Sequence, residues 1–296
     1  MSRELGMFVA LMLLCIIVGM SNSDFYSTAN LLNLGRHVVM LAIFAIGASF
    51  VIIGGGIDLS VDSVIGITGV IIARVASPPG AGLAQSLGMA ILLALAVALL
   101  VGLGQGILIA GLGIPPFITT FGSMLVLRGI SQTICRGGTI SLGASSFRDL
   151  IDHGPFPIGN SYLLPYPLLI FVIVAGLAAY ALHFTVFGRQ VYATGGNREA
   201  SAYSGINVHR IELLTYVISA GLAGLAGVVY AACIGQMSRT VETSYSLIAI
   251  TAAVLGGCSL RGGEGAVLGI VIGSAVMKII ENGINRFKIT LPGGKE

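Results

Sequence analysis

The sequence predicts an all-α, polytopic helical membrane protein, and three observations carry that prediction. Of 296 residues, 55% are hydrophobic and only 9% are charged, against about 25% charged in an ordinary soluble domain. Mean hydropathy is +0.97, and the apolar residues lie in long blocks rather than as one stripe per helix. Glycine accounts for 43 residues, about twice its usual ~7% share, which suits helices whose backbones approach closely. Blocks of this kind cross lipid as helices, because a helix satisfies every backbone polar group within its own segment.

With ~20 apolar residues as the yardstick, about nine spans are expected within a single transmembrane domain, 1–296. Span one, 5–20, is short but uncharged. A secretory signal peptide competes with it, but Arg3 is offset by Glu4 and no A-x-A-like cleavage site follows. Residues 21–38, SNSDFYSTANLLNLGRHV, read as a loop plus a short interfacial segment. Spans two (38–54) and three (61–75) are separated by GGGIDLS, 54–60. SPPGAG (77–82) precedes span four, 87–111, and GIPP (113–116) breaks the chain before span five, 117–134. The Gly- and Pro-punctuated stretch 135–162 is the largest non-membrane segment. Span six covers 163–184, and a polar run, 185–210, follows it. Spans seven (211–234), eight (about 247–255, extended by its flanks) and nine (266–280) complete the series.

Orientation follows from the basic residues of short loops. Arg189, Arg198 and Arg210 all fall in 185–210, which favours a cytoplasmic N-terminus, a cytoplasmic 185–210 and a periplasmic 135–162. Small residues mark close helix contacts. Gly265, Gly269 and Gly273 are expected to line one face of span nine, Gly102 and Gly106 a face of span four, and Gly221, Gly224 and Gly227 a face of span seven.

A net charge of +3 on so few charges does not resemble a nucleic-acid footprint, and membrane lipid is the expected surrounding. Cys15, Cys135, Cys233 and Cys258 are far apart with no CxxC spacing, so buried thiols and no metal centre are expected. A Cys135–Cys233 bridge is the alternative. There is no G-x-x-x-x-G-K-[ST], so GGCSLRGGEG (256–265) reads as a tight loop rather than a phosphate cradle.

Ionisable groups between spans are costly unless paired or solvated. Asp58 reads either as a lining group of a solute path or gate, or as a cap for span three shared with Ser60. Asp62 falls on the same face if that helix begins at Leu59. Thr119 and Ser123 share a face of span five, as solute contacts or as interhelical hydrogen bonds, and Arg128 is expected to snorkel at the outer end. In ATGGNREASAYSGINVHR (193–210), Ala200 and Ser204 lie one helical turn apart and Gly205 follows as a C′ residue would. That pattern fits either a short helix docked in another protein's groove or an ordinary loop.

The run resembles the Glu-Ala-Ala…Gly coupling segment of ABC-importer permeases, and GRQVYATGGNREASAYSGINV (188–208) is similar to the version in the ribose/xylose/arabinose/galactoside permeases. GGIDLSVDSV (55–64), GLGQGILIAGLGIPPFITTFGSMLVLRGI (102–130) and AAVLGGCSLRGGEGAVLGIVIG (252–273) resemble the same family in the same order. The resemblance covers about 27–285. It implies a bacterial inner-membrane permease that moves a monosaccharide, pairs with a second permease copy or paralogue, and receives its cargo from a periplasmic sugar-binding protein. It further implies that ATP is bound by separate ABC ATPase subunits, so that this chain is not an enzyme and carries no cofactor. Asn197, Glu199, Ala200, Ser204 and Gly205 would belong to the element that docks in the ATPase. Asp58, Asp62, Thr119 and Ser123 would line the substrate path or gate. Ser201 stands where the family usually has Ala, and Asp62 where Gly is more usual. The family usually continues one span beyond ENGINRFKI, whereas this chain ends TLPGGKE, so a truncated or lost last span is expected. Relatives carrying branched-chain amino acids, nucleosides or a furanose signal are the runner-up, and a gradient-driven transporter or a non-transporting membrane regulator are readings of another class.

Overall fold

Two long helices form the centre of the bundle. α2 (Thr28–Ile53) is buried continuously from Val39 to Ile53, and α9 (Val208–Ile234) packs against it along much of its length. α3 (Val61–Val75) and α4 (Leu83–Gly106) close on α9 from the other side. The computed structural model describes residues 2–21, 23–76, 83–142, 157–158, 161–162, 165–238 and 245–286. The remaining elements are α1 (Ser2–Ser21), α5 (Pro116–Cys135), α6 (Tyr166–Phe184), α7 (Val186–Gly196), α8 (Arg198–Tyr203), α10 (Tyr245–Leu255) and α11 (Val267–Arg286).

Among the described residues, five helices are long and apolar enough to cross a membrane: Thr28–Ile53, Leu87–Gly111, Tyr166–Phe184, Val208–Ile234 and Val267–Asn285. The expected spans one, three, five and eight are also helices (α1, α3, α5, α10) but fall below that measure. Strand among the described residues is confined to short pairs. β1 (Thr139–Ser141) pairs antiparallel with β4 (Gln236–Ser238), and β2 (Pro157–Ile158) with β3 (Ser161–Tyr162).

Two expectations require correction. Residues 28–38 are not a loop with an interfacial segment; α2 begins at Thr28, with the Ser27 side chain accepting from the Asn30 amide. Asn30, Asn33, Arg36 and His37 hide that helix from an apolar count. Gly265 does not share a face of a helix with Gly269 and Gly273, because α11 begins at Val267. Gly265 lies in the preceding loop, against Cys258 and Ile53.

Glycine contacts hold the bundle close. A Cβ on Gly102 would lie 2.7 Å from the Tyr216 carbonyl oxygen, and one on Gly106 would lie 2.9 Å from the Leu213 Cα. Gly224 meets the Ala98 Cβ at 2.6 Å in the same sense, and Gly269 and Gly273 abut the backbone of Gly256 and Ala252. Such backbone approach gains dispersion contact where lipid offers no hydrophobic drive for helix association. None of the four cysteines forms a disulfide.

α4 does not end cleanly. Residues Ile107–Gly111 continue it as one π-helical turn, with the Leu112 N–H donating to the Ile107 carbonyl at 3.2 Å. Pro115 and Pro116 then start α5, where the fixed φ of proline suits a first turn and its missing N–H is not needed.

Candidate functional site

The chain between α2 and α3 leaves helical geometry while still inside the bundle. α2 ends with its carbonyls met locally: Gly55 N–H donates to Ile52 O at 2.9 Å and Gly56 N–H to Val51 O at 2.8 Å. Residues 56–60 then run without helix or strand into α3. Non-helical backbone at such depth is tolerated where other protein groups satisfy it.

Asp58 organises this break. It is 1% exposed and accepts three hydrogen bonds: from the Ser60 N–H at 2.9 Å, the Ser60 hydroxyl at 2.7 Å and the Ser219 hydroxyl of α9 at 2.8 Å. The Gln105 amide of α4 donates to Ser60 Oγ at 2.8 Å. The carboxylate therefore ties the break to two neighbouring helices as well as turning the chain at Ser60. Beside it, the Tyr216 hydroxyl occupies the space left by the missing Cβ of Gly56. Among the described residues, that hydroxyl and Gln105 Oε1 are buried with no hydrogen-bond partner.

Asp62 belongs to a different face. α3 begins at Val61, not at Leu59, so the two carboxylates are not stacked on one helix. Asp62 accepts from Arg128 Nη2 of α5 at 2.7 Å. Its backbone N–H donates to the Ser246 hydroxyl of α10, which in turn donates to the Leu59 carbonyl. Arg128 is thus an ion-pair partner rather than a snorkelling cation. On the same helix Ser123 donates to the Thr119 carbonyl at 2.8 Å, and the buried Thr119 hydroxyl has no partner among the described residues. The structure brings Asp58 together with Ser60, Gln105 and Ser219, and Asp62 with Arg128 and Ser246. It does not bring Thr119 or Ser123 into hydrogen bonding with either carboxylate.

The polar run folds as two helices. Thr185 caps α7, accepting from Gly188 N–H at 3.2 Å, and Asn197 caps α8, accepting from Ala200 N–H at 2.9 Å. α8 ends in a Schellman motif: Gly205 N–H donates to Ala202 O at 3.0 Å and Ile206 N–H to Ser201 O at 3.1 Å. That pairing places the C′ residue in the left-handed region, and Gly205 has φ +83°. Asn207 then caps α9, accepting from Arg210 N–H at 3.1 Å. Arg198 holds α8 on α9 through a two-point pair with Glu212, at 2.6 and 3.2 Å. That hydrogen bond raises the guanidinium further above its ordinary pKa. Glu199, Ala200 and Ser204 stay exposed on the outside of the turn, while Ser201 faces inward.

A three-loop junction joins the run to the break. Gly263 N–H donates to the Ile53 carbonyl, the last of α2, at 2.8 Å. Gly195 of α7 lies against both, and a Cβ there would fall on the Ile53 carbonyl oxygen. The Tyr192 hydroxyl donates to the Gly265 carbonyl at 2.6 Å; burial pushes its pKa up to about 12, so it remains a donor at neutral pH. α7 is therefore joined to the end of α2 through backbone contacts, without an intervening flexible side chain.

Sequence reasoning missed Gln105, Ser219, Tyr216 and Ser246. A polar side chain inside an apolar span is the signal that could have found them. Among the described residues, no group of three His, Cys, Asp or Glu side chains could hold a metal ion.

The family described as branched-chain amino acid transport system / permease component matches residues 30–292. The chain belongs to that family. Similar curated proteins include the ribose import permease of Haemophilus influenzae, 39% identical over 96% of this chain and 85% of that protein. The Bacillus subtilis ribose import permease is 35% identical over 96% and 85%. The xylose transport system permease of Haemophilus influenzae is 29% identical over 97% and 92%. No solved structure matches. The chain is accordingly a multi-pass helical permease component of an ABC importer, a protein of the bacterial inner membrane. In this chain the buried break and the polar run are joined by the three-loop junction.

Proposed function

We propose that this permease moves a monosaccharide of the ribose class into the cytoplasm, driven by separate ATPase subunits that dock on 185–210. A periplasmic binding protein delivers the sugar on the side of 135–162, and a second permease copy or paralogue completes the pathway. The observation that carries the reading is the junction: the α7–α8 arm, whose α8 exposes Glu199, Ala200 and Ser204, meets the end of α2 where Gly195 of α7 lies against Ile53 and Gly263. The relatives named for ribose and xylose supply the cargo class. Asp58, which anchors the break, and Asp62, which anchors the start of α3, border the path, with Thr119 and Ser123 beside it on α5. Because the ATPase is a separate subunit, ATP is bound outside this chain.

The family description itself names branched-chain amino acids, so cargo needs a direct comparison. The test reconstitutes the permease with its ATPase and binding protein in proteoliposomes. ATP hydrolysis and uptake are then measured with ribose, xylose and leucine. Stimulation of both by a sugar is the expected result. Stimulation by leucine alone would move the chain to the amino-acid branch.

A further inference from the structure

A second polar site lies at the opposite end of the bundle. On α2, Asn30, Asn33 and His37 fall at i, i+3 and i+7; on α11, Lys278, Glu281 and Asn285 repeat that spacing. The two stripes face each other across a pocket of about 220 Å³ whose apolar lining is Leu34. That is room for several water molecules, or for a single sugar ring.

The chemistry inside is polar but locally neutral. Lys278 is 5% exposed, donates to Glu281 at 2.7 Å and lies 5.4 Å from the Tyr245 ring centroid. Asn30 and Asn282 bond each other's amides, at 3.0 and 3.4 Å, and Asn30 also donates to the Phe25 carbonyl. Those contacts fix the walls. Asn33 and Asn285 are exposed and form no side-chain hydrogen bond among the described residues.

We propose that this pocket is an outer-mouth subsite for a neutral polyhydroxylated solute, a monosaccharide; the assignment rests on the sugar-import reading. An amide offers donors and an acceptor together, as a hydroxyl does, so Asn33 and Asn285 match vicinal hydroxyls. A phosphate group would need uncompensated positive charge, and Glu281 cancels the lysine. An aliphatic amino-acid side chain would find only Leu34. The position suits a solute just released at the outer face, upstream of the α2–α3 break, and loose binding lets it move on.

The full chain in lipid nanodiscs, with neither ATPase nor binding protein, is probed by saturation-transfer NMR. Ribose and xylose are the probes, with leucine and glycerol phosphate as controls. A sugar signal is expected, weakened about tenfold in the Asn33→Leu/Asn285→Leu double variant, as loss of hydrogen bonds of this kind implies. The signal should be unchanged in Thr251→Val, at an exposed residue of α10 outside the pocket, and melting in detergent should be unchanged in the double variant because both amides are exposed. An equal signal in the double variant, or equal saturation of leucine or glycerol phosphate, would overturn the assignment. So would the absence of any sugar signal while the assembled transporter imports sugar, a result that leaves the cargo reading intact. The cargo reading fails on a separate measurement, uptake of leucine and of no sugar by the assembled complex.

Discussion

Asp58 concentrates three hydrogen bonds on one buried carboxylate. Replacing it with alanine leaves the Ser60 and Ser219 hydroxyls and one backbone N–H to find new partners in a dry site. Each group left unsatisfied costs about 1–3 kcal/mol. Asp58→Ala should therefore lower the detergent melting temperature and abolish uptake together, measured by fluorescence-detected size exclusion and vesicle transport. Two glycines of the polar run should behave oppositely. Gly195→Ala places a methyl on the Ile53 carbonyl, and overpacking of this kind costs ~1–3 kcal/mol, so both stability and uptake should fall. Gly205 has open space around its Cα. Gly205→Asp meets only the strain of a left-handed residue, ~1–2 kcal/mol, and adds a charge to the docking side. Melting near wild type with lost ATPase co-purification is the expected outcome there; a mutant that still captures its ATPase would mark 193–210 as a plain connector.

At the level of elements, α7 and α8 act as a short arm clipped to α9 by Arg198 and Glu212. The pair is partly exposed and contributes no more than about 1 kcal/mol, so Glu212→Gln should leave melting unchanged. It should nonetheless loosen α8, raising basal ATP hydrolysis relative to sugar-stimulated hydrolysis in the reconstituted complex. An unchanged ratio would show that the clip is dispensable. The end of this arm was readable in the sequence, where Gly205 falls as a C′ residue would, but its Thr185 and Asn197 caps were not singled out. The helices, too, followed from apolar blocks, and α3 ends where the pattern says it should. What sequence could not show was which polar groups meet. Asp58 and Asp62 looked like a stacked pair because a helix starting at Leu59 would make them one; the actual start at Val61 sends them to different partners. Gln105 and Ser219 lie in spans that read as apolar, and Arg128 looked like a surface cation because its partner is 66 residues away. The amphipathic outer turns of α2 were invisible for the opposite reason, since their asparagines resemble a loop.

For the whole molecule, the connections divide between two ends. The α2–α3 break, the polar run and the α10–α11 loop share one end, while β1 and β4 pair at the other. In a Cys-free background, Thr139→Cys should react with a membrane-impermeant maleimide added to intact spheroplasts, and Glu199→Cys only after lysis. The reverse pattern would invert the topology and remove the docking reading with it. A different consequence follows from α1. It packs against α11, with Met7 beside Gly269 and Val18 beside Gly283, yet roughly 250 residues separate the two helices. At ~5–20 residues per second, the ribosome needs about 12–50 s to deliver the partner after α1 is made. During that time α1 has Phe25 and the first turns of α2 to pack against, but the side that meets α11 stays unfilled. A Met7→Cys/Gly283→Cys pair is too distant to report this, but Val18→Cys with Gly283→Cys is adjacent. Its crosslink should be absent from ribosome-bound chains stalled before α11 emerges and present once synthesis passes it. A translating cell therefore holds half-made permeases in which the α11-facing side of the first helix is the last contact to close.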